Sequence, residues 1–491
     1  MTFPNRPSDH RLSRRAFTAG LAALGASPAL AGGMGHLRLA EAARGLAPDG
    51  LRVLAPTGSE ANLDVIAALF SKASGTAITI DLRGIRDVGG ELMLQHMSGN
   101  GPWDVALPAT IELPDLIASG AIAPIPVQAL RDPDDGAIYG HGDIFDGRRY
   151  GYQTDGDQQI LFFNRAILDD PAISKSWEDR TGRPMTVPKS WAELDAQMMH
   201  VADPQEDRWG GLLQRTPGFV EVEFWLRLLA KGVWPLDRDL APQIAGEAGI
   251  ETLADMIAVQ PALAPPATGS LAHVGNTRTF EAGRVLCFLS YGGVQKILNR
   301  PGGPLAGRLA FSVPPGGGRD DLPAAIPAMT WGWSYTLPTL SRYAEAAALF
   351  SAFAVSTLPS TEAIRVPTGF FDPFLKRHYE DAEIRAVYGS EFLAVHRDAM
   401  MNSVPDFYVT GRGDYMASLA RWLGLALDGR VTPALALESA ANEWALITST
   451  QDRDMQRSRW RALRAAFPAA VASRLTDPGA RQSAPVQPNE G

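Results

Sequence analysis

Two carboxylates two residues apart, Asp155 and Asp157, stand in the run Thr154-Asp155-Gly156-Asp157-Gln158 just after a turn signal at Asp146-Gly147. Carboxyl groups paired across a sugar, about 5–5.5 Å or about 6.5–9.5 Å apart, are the acid and base of glycoside cleavage. The same pair is able simply to accept hydrogen bonds from ligand hydroxyls, or to cap the next element. No third group with a catalytic role accompanies them, so ligand binding is the expectation and a glycoside hydrolase or lyase the alternative. The eight histidines are scattered without a pair at metal-ligand spacing, so neither a metal nor a cofactor is expected. Cys287 lies within an apolar run and has the character of a structural thiol. No Gly-x-Ser-x-Gly elbow is present, Pro314 to Gly318 lacks the Gly-Lys-Ser/Thr of a phosphate cradle, and Arg412-Gly413-Asp414 reads as a surface turn.

Aromatic residues favour a binding cleft. On a strand of period two, Trp331, Trp333 and Tyr335 share one side. A ring at a cleft can offer its face to the apolar C–H surface of a sugar while carboxylates and amides take its hydroxyls. Packing in a core accounts for at least one of the three.

Elements able to position these groups follow from pattern. Residues 51–55 predict a strand, Thr57 to Glu60 has the spacing of a capping box, and Leu63, Ile66, Leu69 and Phe70 lie on one helical face. Residues 77–82 predict a second, parallel strand. Further helices are predicted at 91–98 and 111–119, with a strand at 103–107 between them. This alternation makes an open, mainly parallel sheet flanked by helices, whose ligands sit beyond the carboxyl ends of the strands, at loops 56–60, 83–89 and 108–112. The run 146–164 reads as a crossing between two domains, ending in the apolar Ile160, Leu161, Phe162 and Phe163. A second α/β lobe follows, with a capping box from Ser190 to Glu193, helix 219–230 and strand 285–289. Residues 300–327 are rich in Pro and Gly and read as loop; Ser341 is expected to cap the next helix, and residues 416–427 and 434–448 are predicted helices.

At 491 residues the chain exceeds one ordinary core, and its single cysteine leaves the fold to packing. Residues 1–31 carry Arg14-Arg15, then an Ala/Leu/Gly run ending Ala29-Leu30-Ala31; the pattern resembles a twin-arginine (Tat-type) export signal. Gly32, not cysteine, follows, so the mature chain is expected to be periplasmic and no lipoprotein. Losing four arginines and Asp9 takes the net charge from −9 to −12, which argues against nucleic acid as a partner.

The ordered set of motifs resembles the extracellular solute-binding proteins of family 1, the carbohydrate-binding components of ABC importers. It comprises the start from Leu51, Trp103-Asp104-Val105, Asp146-Gly147-Arg148-Arg149-Tyr150-Gly151 with Leu161 to Arg165, and Pro188 to Leu194. Thr279 to Gly283 and Trp331-Gly332-Trp333 before Ala344 to Phe350 complete it. The resemblance implies a two-lobed periplasmic binding protein of type II, a monomer that closes on a sugar or polyol and docks on permease subunits. A receptor that signals from the same cleft is a further alternative. The implied division is a signal at 1–31, a loose leader at 32–49, and a disordered tail at 476–491. Between these lie an N-terminal lobe of 50–153 and 328–372 and a C-terminal lobe of 154–327 and 373–475. By position the resemblance adds Glu60, Thr110, Tyr291, Trp331 and Arg365 to the ligand-binding candidates Asp155, Asp157 and Trp333; Arg365 would equally suit a salt bridge in the hinge.

Overall fold

The computed structural model describes residues 31–125, 136–138, 143–213, 215–266, 272–317, 329–330 and 332–477. Residues 1–30 of the expected export signal 1–31, Trp331 and residues 478–491 of the expected tail lie outside the described residues.

Two sheets organise the chain. In the first, strands run in the order Ile78–Arg83, Leu51–Pro56, Val105–Ala106, Ser334–Pro338 and Ile122–Ala123, with Gly151–Gln153 also paired to Ser334–Pro338. In the second the order is Leu309–Ser312, Gln159–Asn164, Val285–Tyr291 and Trp209–Leu212. The α/β class stands, but both sheets are mixed rather than mainly parallel. The opening βαβ strands pair in parallel, whereas Ser334–Pro338 re-enters the first sheet from the other lobe and pairs antiparallel with all its neighbours. In the second sheet Gln159–Asn164 runs antiparallel to both strands beside it.

Local signals explain most elements. Ser190 Oγ accepts from the Glu193 amide at 3.2 Å, as its capping box requires, and helix Trp191–Val201 follows. At Thr57 the expected box is not the cap used. Helix Glu60–Ser74 has Ser59 as N-cap, Glu60 Oε2 accepts from the Gly58 amide at 2.5 Å, and the Thr57 hydroxyl donates to the Arg83 carbonyl. Ser341 precedes its helix, Ala344–Ala354, by too much to cap it; Tyr343 occupies that position. Strand Leu309–Ser312 sits inside the stretch expected to be loop, its short apolar run masked by flanking Pro and Gly.

The leader departs from expectation. Residues 31–42 form a helix, and Leu39, Ala40, Ala43 and Ala47 are buried with Phe70, Phe350 and Phe353 in the core of the first lobe. A Gly/Ala-rich segment packs this way because small side chains let a helix approach a core closely. At the other end, helix Arg412–Leu427 packs on Val220–Ala230 and Pro433–Thr450. Its N-terminus also reaches the first lobe, where Asp115 Oδ1 accepts from the Gly411 amide at 2.6 Å. Among the described residues no single helix is long and apolar enough to cross a membrane.

Cys287 is buried in the middle of its strand, and burial pushes its thiol well above the ordinary range. The native protein is therefore expected to give no colour with Ellman's reagent until unfolded in guanidinium; rapid reaction of the native protein would contradict this packing.

Candidate functional site

Three segments cross between the sheets and lie side by side. Residues 154–158 lead from Gly151–Gln153 to Gln159–Asn164; a second segment leads from Leu309–Ser312 to Ser334–Pro338; a third, 366–374, follows helix Thr357–Arg365. The Thr154 amide donates to the Trp333 carbonyl at 2.9 Å, and the Asp372 amide to Asp155 Oδ1 at 2.7 Å. The approach is close enough to require glycine, since a Cβ on Gly156 would stand 2.1 Å from the Pro373 carbonyl oxygen.

Beside the crossings lies a cavity of about 240 Å³. The first lobe contributes Thr57, Gly58 and Ile85, from loops beyond the carboxyl ends of strands Leu51–Pro56 and Ile78–Arg83. The second contributes Asp157, Phe219, Ser290, Tyr291, Val294 and Ile297, and the crossings supply Trp333, Thr368 and Phe370. Four aromatic side chains thus wall the space: Phe219 and Tyr291 have ring centres 6.4 Å apart, Trp333 and Phe370 6.1 Å and nearly perpendicular. Across the mouth the exposed Arg86 of the first lobe sets its guanidinium 5.1 Å from the Phe219 ring centre of the second. A wider groove of about 760 Å³ shares Ile85 and continues between the lobes past Arg86, Glu112, Asp115, Glu221 and Arg412. Burial raises Glu112 there to about 7, against the opposing hydrogen bonds from the Ala109 and Gly89 amides.

Behind the aromatic cavity the crossings enclose a charged group. Asp155 and Asp372 are fully buried, and each keeps one carboxyl oxygen, Oδ2, without a hydrogen-bond partner among the described residues. Asp372 Oδ1 accepts from the Tyr388 hydroxyl at 2.7 Å. Lys296 is buried beside them, donates to the Val366 carbonyl at 3.2 Å and lies 5.3 Å from the Tyr388 ring centre. Burial, then the charge of Asp372, holds Asp155 well above the usual carboxylate range; burial pushes Asp372 up to about 7 and Lys296 down to about 8. Burial and the two neighbouring carboxylates raise Asp157 strongly as well. His396 bridges the Tyr379 hydroxyl at 2.8 Å and the Gly156 carbonyl at 2.9 Å, and burial lowers it to about 4.

The expected site residues therefore divide. Asp157, Tyr291 and Trp333 meet at the cavity. Asp155 stands behind it, holding the third crossing through the Asp372 amide. Thr110 is buried in the hinge, where its hydroxyl accepts from Tyr408 at 3.0 Å and from the Gly332 amide at 3.3 Å. Glu60 lies at the mouth of the first-lobe loop, bonded to Gly58. Arg365 is held in ion pairs with Asp381 at 2.5 Å and Glu362 at 2.8 Å, outside the cavity lining. Phe219 and Phe370 escaped sequence reasoning, although Pro217-Gly218 before a helix and the aromatic run 370–374 mark loops that can present a ring. No group of three or more metal-ligating side chains able to hold an ion occurs among the described residues.

Two lobes, three crossings and a cleft between them describe a solute-binding architecture. The chain belongs to the bacterial extracellular solute-binding proteins, whose family signature matches residues 55–357. Among solved structures it is similar to the GacH receptor of Streptomyces glaucescens, solved unliganded and with acarbose. That match has a TM-score of 0.68 at 15% identity over 82% of this chain and 100% of that one. It is also similar to an ABC transporter solute-binding protein of Agrobacterium radiobacter in complex with ribitol, at 0.67 and 16% over 81% and 98%. Another such protein, from Agrobacterium vitis with bound D-mannitol, matches at 0.66 and 15% over 82% and 98%. No curated protein matches in sequence.

Proposed function

We propose that the protein is the solute-binding component of an ABC importer, which takes a sugar or polyol into the inter-lobe cleft and delivers it to permease subunits in the inner membrane. The carrying observation is the aromatic cavity itself, lined at once by loops of the first lobe, side chains of the second and residues of the crossings. A ligand held there touches everything that moves on closure, so it binds the closed form better and shifts the population toward it. Ring faces suit the C–H surface of a sugar, and Asp157, Thr57, Ser290 and Thr368 suit its hydroxyls. The ribitol, D-mannitol and acarbose bound by similar structures are all polyhydroxylated.

The protein acts without catalysis in this reading. Asp155 does not line the cavity and is committed to the Asp372 amide, so the two carboxylates do not face each other across a ligand. A twin-arginine signal exports the chain, which works in the periplasm as an unlipidated monomer. A thermal-shift screen of sugars, polyols, organic acids and metal salts is expected to raise Tm with one polyhydroxylated class. Trp333→Ala is expected to weaken that binding about 10- to 100-fold, and wild type to turn over no chromogenic glycoside. A Tm rise with metals or hydroxyl-free acids alone would overturn the reading.

A further inference from the structure

We propose that the ligand carries a positively charged nitrogen, as in an amino sugar or amino polyol, with Asp157 as its counter-ion and the aromatic rings around it as its walls. The inference rests on the carbohydrate reading above and narrows it.

Asp157 is the only charged residue lining the cavity among the described residues. Among the described residues neither a hydrogen-bond donor nor a side-chain cation pairs with its carboxylate. The charges acting on it are those of Asp155 and Asp372, both of its own sign. The two cations nearby are engaged elsewhere. Lys296 is set against Asp372 and Asp155 and donates to Val366; Arg86 lies over the Phe219 ring at the mouth. This end of the cleft thus gathers three carboxyl groups against one ammonium, and two buried carboxyl oxygens, Asp155 Oδ2 and Asp372 Oδ2, have no hydrogen-bond partner among the described residues.

A carboxylate taken out of water needs a pairing charge as well as hydrogen bonds. A neutral polyol supplies only the second. An ammonium supplies both, and it does so among aromatic rings whose negative quadrupole favours a cation. A bare metal ion does not fit this chemistry, because the walls are apolar and one carboxylate offers too few ligands. An amine on a hydroxylated skeleton fits: its nitrogen meets Asp157, while Thr57, Ser290 and Thr368 stand at other parts of the wall to meet hydroxyls. Burial and the charges of Asp155 and Asp372 raise the Asp157 carboxyl above its ordinary range; a cation beside it opposes that shift, so binding is expected to be linked to proton release.

Isothermal titration with matched pairs tests this. Glucosamine, galactosamine, mannosamine and N-methylglucamine are compared with glucose, galactose, mannose and glucitol, with tetramethylammonium as a cation lacking hydroxyls. At least one amino compound is expected to bind about tenfold or more tighter than its neutral parent, with a heat that depends on the buffer's ionisation enthalpy. Asp157→Asn is expected to weaken that compound about 10- to 100-fold and its parent less than about threefold. Because the substitution removes a like charge, the variant is expected to fold with an undiminished Tm. Phe370→Leu, which removes a ring and leaves the carboxylate, should weaken the amino compound more than the parent.

Equal binding of both members, or equal weakening of both by Asp157→Asn, overturns the cationic ligand and leaves the carbohydrate reading intact. Binding of tetramethylammonium alone supports the cation pocket and overturns the carbohydrate reading. No binding by any amino compound or by tetramethylammonium at millimolar concentration overturns the inference.

Discussion

Replacing Arg227 by alanine is expected to remove on the order of 3–5 kcal/mol of folding stability, a large share of the roughly 5–15 kcal/mol that holds a domain together. Arg227 lies on helix Val220–Ala230 and is 2% exposed. Its two terminal nitrogens donate to both oxygens of Asp195, at 2.7 and 2.8 Å, and its Nε donates to Glu223 at 2.8 Å. The guanidinium also lies 4.1 Å from the Trp191 ring centre. Glu223 is completed by Arg215, which donates to both of its oxygens at 2.7 Å. Burial by itself would raise the Glu223 carboxyl; the two arginines reverse that and hold it below its ordinary value.

Alanine removes the bidentate partner of Asp195 and half the charge that compensates Glu223, while both carboxylates stay where water reaches them poorly. The loss is therefore set by stranded charge more than by the worth of the pair itself. Arg227→Lys keeps the charge and loses the planar fork, so its loss should fall between wild type and alanine. Urea unfolding followed by circular dichroism gives the values. A loss below about 1 kcal/mol for alanine would mean that water or rearrangement relieves the two carboxylates. The network also bears on the cleft, since helix Val220–Ala230 begins immediately after Phe219, and Asp195 anchors that helix to Trp191–Val201.

How much of this was legible depends on how local each signal is. The strand and helix after Leu51, the Ser190 cap and helix Val220–Ala230 are written in runs of fewer than fifteen residues, where periodicity and capping chemistry suffice. Asp157 lines the cavity, and its place as an acidic residue inside the crossing run 146–164 is a signal of the same local kind. What the sequence did not carry is partnership across long separations. Asp155 meets the amide of Asp372, 217 positions later, and Thr110 meets Tyr408, 298 positions later. No pattern near Thr110 says that its hydroxyl is committed to a hinge, nor near Arg365 that Asp381, sixteen positions later, takes its guanidinium. The helix at Ala31–Ala42 was hidden by composition, because Gly and Ala resemble a linker until the core they pack against is known. The direction of Ser334–Pro338 was likewise set by the return of the chain through the hinge, which local alternation does not encode.

The hinge itself should show an unusual dependence of stability on pH when Asp372 becomes asparagine. Asp372 is fully buried, and its folded-state pKa is raised to about 7 by that burial, with Tyr388 and Lys296 opposing. A carboxyl raised in this way binds its proton more tightly folded than unfolded. Its contribution is fully present below the unfolded value near 4 and is lost as pH rises through about 7. The nearby histidines act oppositely. Burial lowers His396 to about 4 and His378 to about 3, so their contribution is present above about 6.5 and lost as pH falls toward those values. In wild type the two trends offset each other over much of the interval. Asparagine keeps an oxygen for the Tyr388 hydroxyl and removes the titration. The stability difference, variant minus wild type, should therefore rise from about pH 4 to about pH 7 by on the order of 2–4 kcal/mol and then level off. Asp372→Ala, which also deprives Tyr388 of its acceptor, should lie lower throughout with the same slope. Thermal or urea unfolding across that range gives both curves. A difference that stays flat with pH would mean that Lys296 and Asp372 remain a fully ionised pair, and the proton would then have to be sought on Asp155 instead.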